Sequence, residues 1–307
     1  MEYILRTYGL SKKYKKHFAV NKADMNIEKG DIYGFVGENG SGKTTIIRLI
    51  TGLIFPTDGH FELFGVSNNS VDIVKARKKL GAIVETPSIY LNMSAYDNLK
   101  MQATLLGLKD ESSIQKVLSE VGLDYLVSDK RKAGNFSLGM RQRLGIAMAL
   151  LGNPEFLILD EPMNGLDPTG IVEIRELILK LNRDKGITFL ISSHILTELS
   201  LVATKYGIIS KGKIIKEITA KELHNECQPT IILQADDPAE LDRVLSDIIP
   251  KENKSVLSGC IKISGSFKLN AILSKVLAAG INLTSVNCSE TNIEDYYLSL
   301  TGGKGND

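Results

Sequence analysis

Residues 37–44 read Gly37-Glu38-Asn39-Gly40-Ser41-Gly42-Lys43-Thr44, an unbroken match to the phosphate-loop pattern G-x-x-x-x-G-K-[ST]. Ahead lies an apolar, strand-like run, Ile32-Tyr33-Gly34-Phe35-Val36; behind, Thr45-Ile46-Ile47-Arg48-Leu49-Ile50 continues as a helix until Gly52. Strand, loop and helix in that order are the context the motif needs. Gly37, Gly40 and Gly42 let backbone N–H groups turn inward around phosphate oxygens, and the helix start adds its partial positive charge. Asn39, Ser41 and Thr45 complete the nucleotide-contacting stretch. Lys43 is placed to reach the β- and γ-phosphates, and Thr44 to ligate Mg²⁺.

A second buried-strand pattern, Phe156-Leu157-Ile158-Leu159-Asp160, is apolar until it ends on a carboxylate. Asp160 can hold Mg²⁺ through water, as the acidic partner of a phosphate loop does. Glu161 comes next and faces the other way along a strand, so it is placed to polarise an attacking water. A positioned base contributes about 10²–10⁴-fold to rate, which makes Glu161 the residue whose removal separates binding from hydrolysis.

These segments, with Ser137-Leu138-Gly139-Met140 between them, resemble the ATPase subunits of ABC transporters over roughly residues 4–220. The resemblance implies an α/β P-loop ATPase core with a helical subdomain at about 87–152, and ATP with Mg²⁺ as cofactors. It implies a role for each matching position. Tyr14 matches the aromatic that stacks on adenine, worth roughly 1–3 kcal/mol by analogy with base stacking. Ser137, Gly139 and Met140 occupy the signature positions that would bind the γ-phosphate of ATP held by an opposite subunit. Gly165-Leu166-Asp167 matches the loop crossing the dimer seam, with Asp167 as its polar contact. His194, after the strand-like Ile187-Thr188-Phe189-Leu190-Ile191-Ser192-Ser193, matches the switch histidine that senses the γ-phosphate. Lys43, Glu161 and His194 are therefore the expected catalytic residues.

Two positions depart from the family pattern. Met140 stands where the signature normally has Gln; backbone amides do most of the work at a helix N-terminus, so little harm is expected. After Gly81-Ala82-Ile83-Val84, Glu85 stands where the family usually has Gln, a ligand on the metal side. A carboxylate would hold Mg²⁺ more strongly but would repel phosphate without the metal. That Glu, with Ser-Leu-Gly-Met-Arg-Gln-Arg, resembles the branch that exports bacitracin- and lantibiotic-type peptides. Drift at a tolerant position is the other reading, and both stay open.

At 307 residues and 43% apolar content, the chain can bury a full core and is expected to hold two domains. A formal charge of +1 gives no basic field for nucleic acid, and none is expected as partner. No apolar run approaches the roughly 20 residues of a membrane span, and no signal-peptide pattern stands at the N-terminus. An ATPase of this kind must then dock on a separate membrane permease, at the cytoplasmic face. Cys227, Cys260 and Cys288 lack metal-ligand spacing, which suits a reducing cytosol.

The first stretch alternates short strands with turns, Pro56-Thr57-Asp58-Gly59 among them. Ser94 and Asp97 are spaced as a capping box, and Leu144, Met148 and Leu151 recur on one helical face. The segment from Pro87 to Met93 is a candidate for the groove that receives the permease, although its apolar residues could equally be core. A domain over residues 1–224, a linker at 225–229 and a small C-terminal α/β domain over 230–307 are expected. In that domain Ile231-Ile232-Leu233 is a strand, Asp237-Pro238-Ala239-Glu240 starts a helix, and Leu269 to Leu277 follows helical spacing closed by Gly280. Ile281 to Val286 is a strand, and Thr291 with Glu294 caps a last helix. Dimerisation, regulation and a stabilising appendage are all open uses for it.

The leading expectation is a paired ATPase, most simply a homodimer, powering export of a peptide or hydrophobic antibiotic. A repair-associated ATPase would need a long heptad insertion, which is not visible. A two-cassette translation factor would need a second phosphate loop. An ATP-binding regulatory module without turnover is the remaining alternative, and Glu161 argues against it.

Overall fold

The chain opens with β1 (Tyr3–Tyr14), β2 (His17–Ala23), β3 (Asn26–Glu28) and β4 (Ile32–Val36), then α1 (Lys43–Thr51). β5 (Asp58–Leu63), β6 (Val66–Ser67), α2 (Ile73–Arg77) and β7 (Leu80–Ile83) follow. A helical stretch carries α3 (Ala95–Leu105), α4 (Ser112–Glu120) and α5 (Leu138–Leu150). β8 (Phe156–Asp160), α6 (Pro168–Lys185), β9 (Thr188–Ser193), α7 (Leu196–Leu199), β10 (Lys205–Ser210) and β11 (Lys213–Thr219) complete the layered part. This computed structural model describes residues 2–257, 259–265, 267–289 and 293–302. They fall into two compact units, Met1–Ala220 and Lys221–Asp307.

In the first unit β1, β2, β3, β5 and β6 form an antiparallel sheet, ordered β2-β1-β5-β6 with β3 also on β1. The second sheet runs β11-β10-β4-β9-β8-β7, parallel except where β11 pairs antiparallel with β10. β4, β8 and β9 are buried at every position. That is why their middles read as continuous apolar runs rather than alternating ones: a parallel sheet is covered on both faces. Phe35, Ile46, Ile47, Leu49 and Ile50 share one core with Ile4, Leu5, Phe61 and Leu63 of the antiparallel sheet. α1 is thereby pinned beneath the loop that precedes it.

Pro56-Thr57-Asp58-Gly59 is not the turn its chemistry suggests. β5 already begins at Asp58, and the φ of 72° at Gly59 answers a close approach: a Cβ there would lie 2.3 Å from the Gly9 carbonyl oxygen. β1 slips register between Tyr8 and Ser11 at this point, which crowds the two strands. In α3 the capping box is formed: Ser94 Oγ accepts from the Asp97 N–H at 3.1 Å and donates to Asp97 Oδ2 at 2.7 Å. Leu144 on α5 and Leu151 just past its end are buried, while Met148 between them is half-buried.

The second unit takes up α8 (Ala220–Glu226) from its second residue and holds β12 (Thr230–Ala235), α9 (Pro238–Ser246), β13 (Lys254–Leu257), β14 (Cys260–Ser264), α10 (Leu269–Ala278), β15 (Leu283–Ser289) and α11 (Ile293–Thr301). α8 thus runs into the 225–229 stretch read as linker. The sheet is ordered β13-β14-β12-β15 with every pair antiparallel. With α9 and α10 this is the βαββαβ arrangement of ferredoxin-like folds. Ile231, Leu233, Leu241, Leu245, Ile261, Ile263, Ile272 and Val276 form its own core. Asp237 caps α9 by accepting from the Ala239 and Glu240 N–H groups, with Pro238 at the first position. The last strand begins at Leu283, later than Ile281. Thr291 lies outside the described residues.

Candidate functional site

Three strand ends build the site. β4, β9 and β8 are neighbours in that order, and Val36 pairs with Ser193 while Asp160 pairs with Ser192, so their carboxyl ends lie level. Open parallel sheets bind ligands beyond those ends. The loop after β4 crosses this edge, with Glu38, Asn39 and Gly40 exposed at its tip and Ser41, Gly42 and Lys43 buried.

Gly42, at φ 113°, admits no side chain: a Cβ would lie 2.6 Å from the Ala19 carbonyl oxygen on β2. At Gly37 a Cβ would lie 2.5 Å from the Ile209 oxygen. The tight turn between β10 and β11, with Lys211 at φ 48° and Gly212 at φ 78°, grips the loop from one side. The Gly212 N–H donates to Ser41 O, and the Asn21 N–H donates to Gly212 O, both at 2.8 Å. Two features of the loop suit phosphate oxygens. Ser41 Oγ is buried and hydrogen-bonds to nothing among the described residues. No side chain caps α1 and no acid lies in its first turn, so its leading N–H groups point at the loop uncapped. Thr45, half-buried, lies in that first turn.

Lys43 Nζ donates to Gly37 O at 2.6 Å and Glu38 O at 3.2 Å, and lies 3.4 Å from Glu161 Oε1. Thr44 Oγ1 donates to Asp160 Oδ2 at 2.9 Å, and Ser192 Oγ donates to Asp160 Oδ1 at 2.5 Å. Thr44 and Asp160 thus set a hydroxyl and a carboxylate oxygen side by side, hard donors of the kind Mg²⁺ takes. Glu161 is turned by its backbone rather than by strand alternation. Its φ is 50°, and its N–H bonds both the carbonyl and the hydroxyl of Ser192, at 3.2 and 2.9 Å. Left-handed backbone at a non-glycine residue costs about 1–3 kcal/mol and persists only where neighbours enforce it. Its Oε2 lies 2.8 Å from His194 Nδ1. On α7, burial pushes the Glu198 carboxyl up; His194 pulls it back, and the charge of Glu161 adds to the rise. Lys43, Thr44, Asp160, Glu161 and His194 are thus one connected group. Ser192 and Glu198 join it without having been singled out; the level pairing of Ser192 with Asp160 is the only signal that could have found the first.

A second group forms apart from it. Ser137 caps α5, its Oγ accepting from the Met140 N–H at 3.1 Å, and Asp167 caps α6, its Oδ1 accepting from the Gly170 N–H at 3.1 Å. A Cβ at Gly165 would lie 3.4 Å from Leu138 Cδ2, and one at Gly139 3.8 Å from Leu166 Cδ2, so the two turns pack together. They line a shallow cavity of about 500 Å³ with Tyr125 and Arg143. Among the described residues, no hydrogen bond or ion pair joins Ser137 or Asp167 to Lys43, Asp160 or Glu161.

Tyr14 ends β1, its ring half-exposed with Lys12 Nζ 5.3 Å from the centroid. It pairs with His17, two residues along β2 from Ala19. Glu85, at φ 64°, places Oε1 2.5 Å from Arg48 Nη2 on α1. A groove of about 480 Å³ opens beside it, lined by Val84, Thr86, Pro87 and Ser88 against Gln102, Leu106 and Met148. Of the segment from Pro87 to Met93, the first two residues line it.

A family profile described as "ABC transporter" matches residues 20–164. The bacitracin transport ATP-binding protein BcrA of Enterococcus faecalis is 40% identical, covering 99% of this chain and 98% of that one. The lantibiotic transport ATP-binding protein SrtF of Streptococcus pyogenes is 46% identical over 214 residues, 70% of this chain and 90% of its own length. Among solved structures, cbiO1 from Clostridium perfringens, described as part of the ABC transporter complex cbiONQ, matches with a TM-score of 0.66 at 28% identity, covering 74% of this chain and 92% of that one.

Proposed function

This chain belongs to the ATP-binding subunits of ABC transporters, and from that premise we propose that its ATP hydrolysis powers export of a peptide antibiotic of the bacitracin or lantibiotic class through a separate permease. The observation that carries the reading is the convergence of Lys43, Thr44, Asp160, Glu161 and His194 on three level strand ends. The antibiotic class is taken from the two relatives' names.

Lys43 and the N–H groups at the head of α1 hold the phosphates. Thr44 and Asp160 would hold Mg²⁺, with Glu85 on the metal side; when bound, the ion would supply charge neutralisation at the transferring phosphoryl group. Lys43, drawn to the phosphates, gives up Glu161 Oε1, which then orients the attacking water. His194 keeps the other carboxylate oxygen in place. Tyr14 stacks on the adenine. Ser137, Gly139, Met140 and Asp167 lie apart from this group, so they serve the nucleotide of a second copy, and the working unit is a dimer with two shared seams.

No helix among the described residues is long and apolar enough to cross a membrane. The groove beside Glu85 is read as the seat for the permease, and the chain would dock there at the cytoplasmic face, where ATP is available. The deciding experiment expresses the chain with its permease in a sensitive bacterium. Protection against bacitracin or a lantibiotic, abolished by Glu161→Gln, is expected. An active pair that protects against neither class would overturn the cargo assignment.

A further inference from the structure

β7 runs parallel to β8 with Ile83 opposite Leu159, so Glu85, two residues past the end of β7, adds a third carboxylate to the sheet edge where Asp160 and Glu161 stand. Left alone, that charge would repel a triphosphate over the few ångströms involved. The chain supplies its own compensation. Arg48 stands one turn beyond Thr44 on α1, so the two side chains leave the helix on the same face. Its guanidinium lies 2.5 Å from Glu85 Oε1. Glu85 is therefore drawn to the helix face that carries the metal-side hydroxyl. The pair is partly exposed on both sides, 40% and 59%, so neither member is locked in by packing. Glu85 also sits in a left-handed backbone, with its carboxylate on Arg48 of α1 while Val84 and Thr86 on either side of it line the groove.

We propose that Arg48 is the positioning residue for Glu85: it neutralises and steers this carboxylate, so that the chain carries an acid beside the phosphates without losing nucleotide when metal is scarce. The inference rests on the ATP site read above, and its test is binding rather than turnover. Fluorescent ATP analogue is titrated into the full chain in chelator and in excess Mg²⁺. Arg48→Met is expected to weaken binding about three- to tenfold in chelator and less in Mg²⁺, because an exposed pair is worth little but an unpaired charge beside phosphate is felt. In chelator, where no metal calls on Glu85, the double variant Arg48→Met/Glu85→Gln is expected to return to within about twofold of wild type, since the charge needing compensation is gone. Arg48→Lys keeps the charge and guards against a folding failure of the methionine variant; it should stay within about threefold in chelator. A loss that persists in the double variant, an equal loss with and without Mg²⁺, or a tenfold loss in Arg48→Lys overturns the proposal. Wild-type protein that bound no nucleotide in either buffer would instead overturn the ATP site itself, and the inference with it.

Discussion

Glu161 is held by Lys43 on one oxygen and His194 on the other, on a backbone that Ser192 forces left-handed. Glutamine at this position keeps the shape and can still bond His194, but it cannot take a proton. Glu161→Gln is expected to cut kcat about 10²–10⁴-fold while ATP affinity stays within a few-fold, read by phosphate release beside nucleotide titration. Full turnover in that variant would remove Glu161 from the mechanism. Glu198 gives a pH-dependent counterpart. Its carboxyl is raised by burial, so the folded state disfavours the ionised form. The stability contribution is present below the ordinary glutamate range, about pH 4, and is lost as pH rises through the raised value. Glu198→Gln should therefore melt higher than wild type at pH 7, with the gap closing toward pH 4. A gap that widens on acidification would reverse the sign of the argument.

At the scale of elements, what was legible in the chain is what burial makes legible. β4, β8 and β9 are covered on both faces, so each reads as a largely apolar run, and the residues assigned to nucleotide gather at or just past their carboxyl ends. Ser192 stayed hidden because its role comes from pairing with Asp160 across two strands, which no single segment displays. The orientation of Glu161 was read from strand alternation, whereas a backbone angle sets it. Caps were legible, yet a cap and a phosphate contact share one chemistry. Ser137 can be split between these roles by substitution. Ser137→Ala removes the α5 cap, at about 1 kcal/mol or roughly 2–4 °C. Ser137→Asp caps as well as serine, so its melting temperature should hold within about 1 °C. Its negative charge should nonetheless cut ATPase at least about tenfold if a nucleotide meets this face. ATPase retained by the aspartate variant would leave Ser137 a cap alone. Gly42→Ala faces both an unfavourable φ and the Ala19 carbonyl, and is expected to abolish nucleotide binding in the same titration.

Across the whole molecule, every residue assigned to nucleotide lies in Met1–Ala220, and each unit has its own apolar core. A chain ending after Glu226 is expected to bind ATP within about threefold of the full chain; loss of binding would tie the second unit to the nucleotide site. That unit was only half legible. Asp237-Pro238 and the Leu269 to Ala278 helix announce themselves, but β13 does not, because its position opposite Ile263 is Lys254. The ammonium sits largely buried beside Asp242 and bonds Ser246 Oγ at 2.6 Å, so a polar residue stands where an alternating strand should be apolar. The Lys211-Gly212 turn carries the opposite lesson. Two-residue surface hairpins are the usual choice for splicing in an epitope or a reporter peptide. Here the Gly212 amide and carbonyl tie Ser41 to Asn21, across 171 positions in one direction (212 − 41). A tag inserted at this tip would unfasten the rim of a pocket that the linear map places at the far end of the domain.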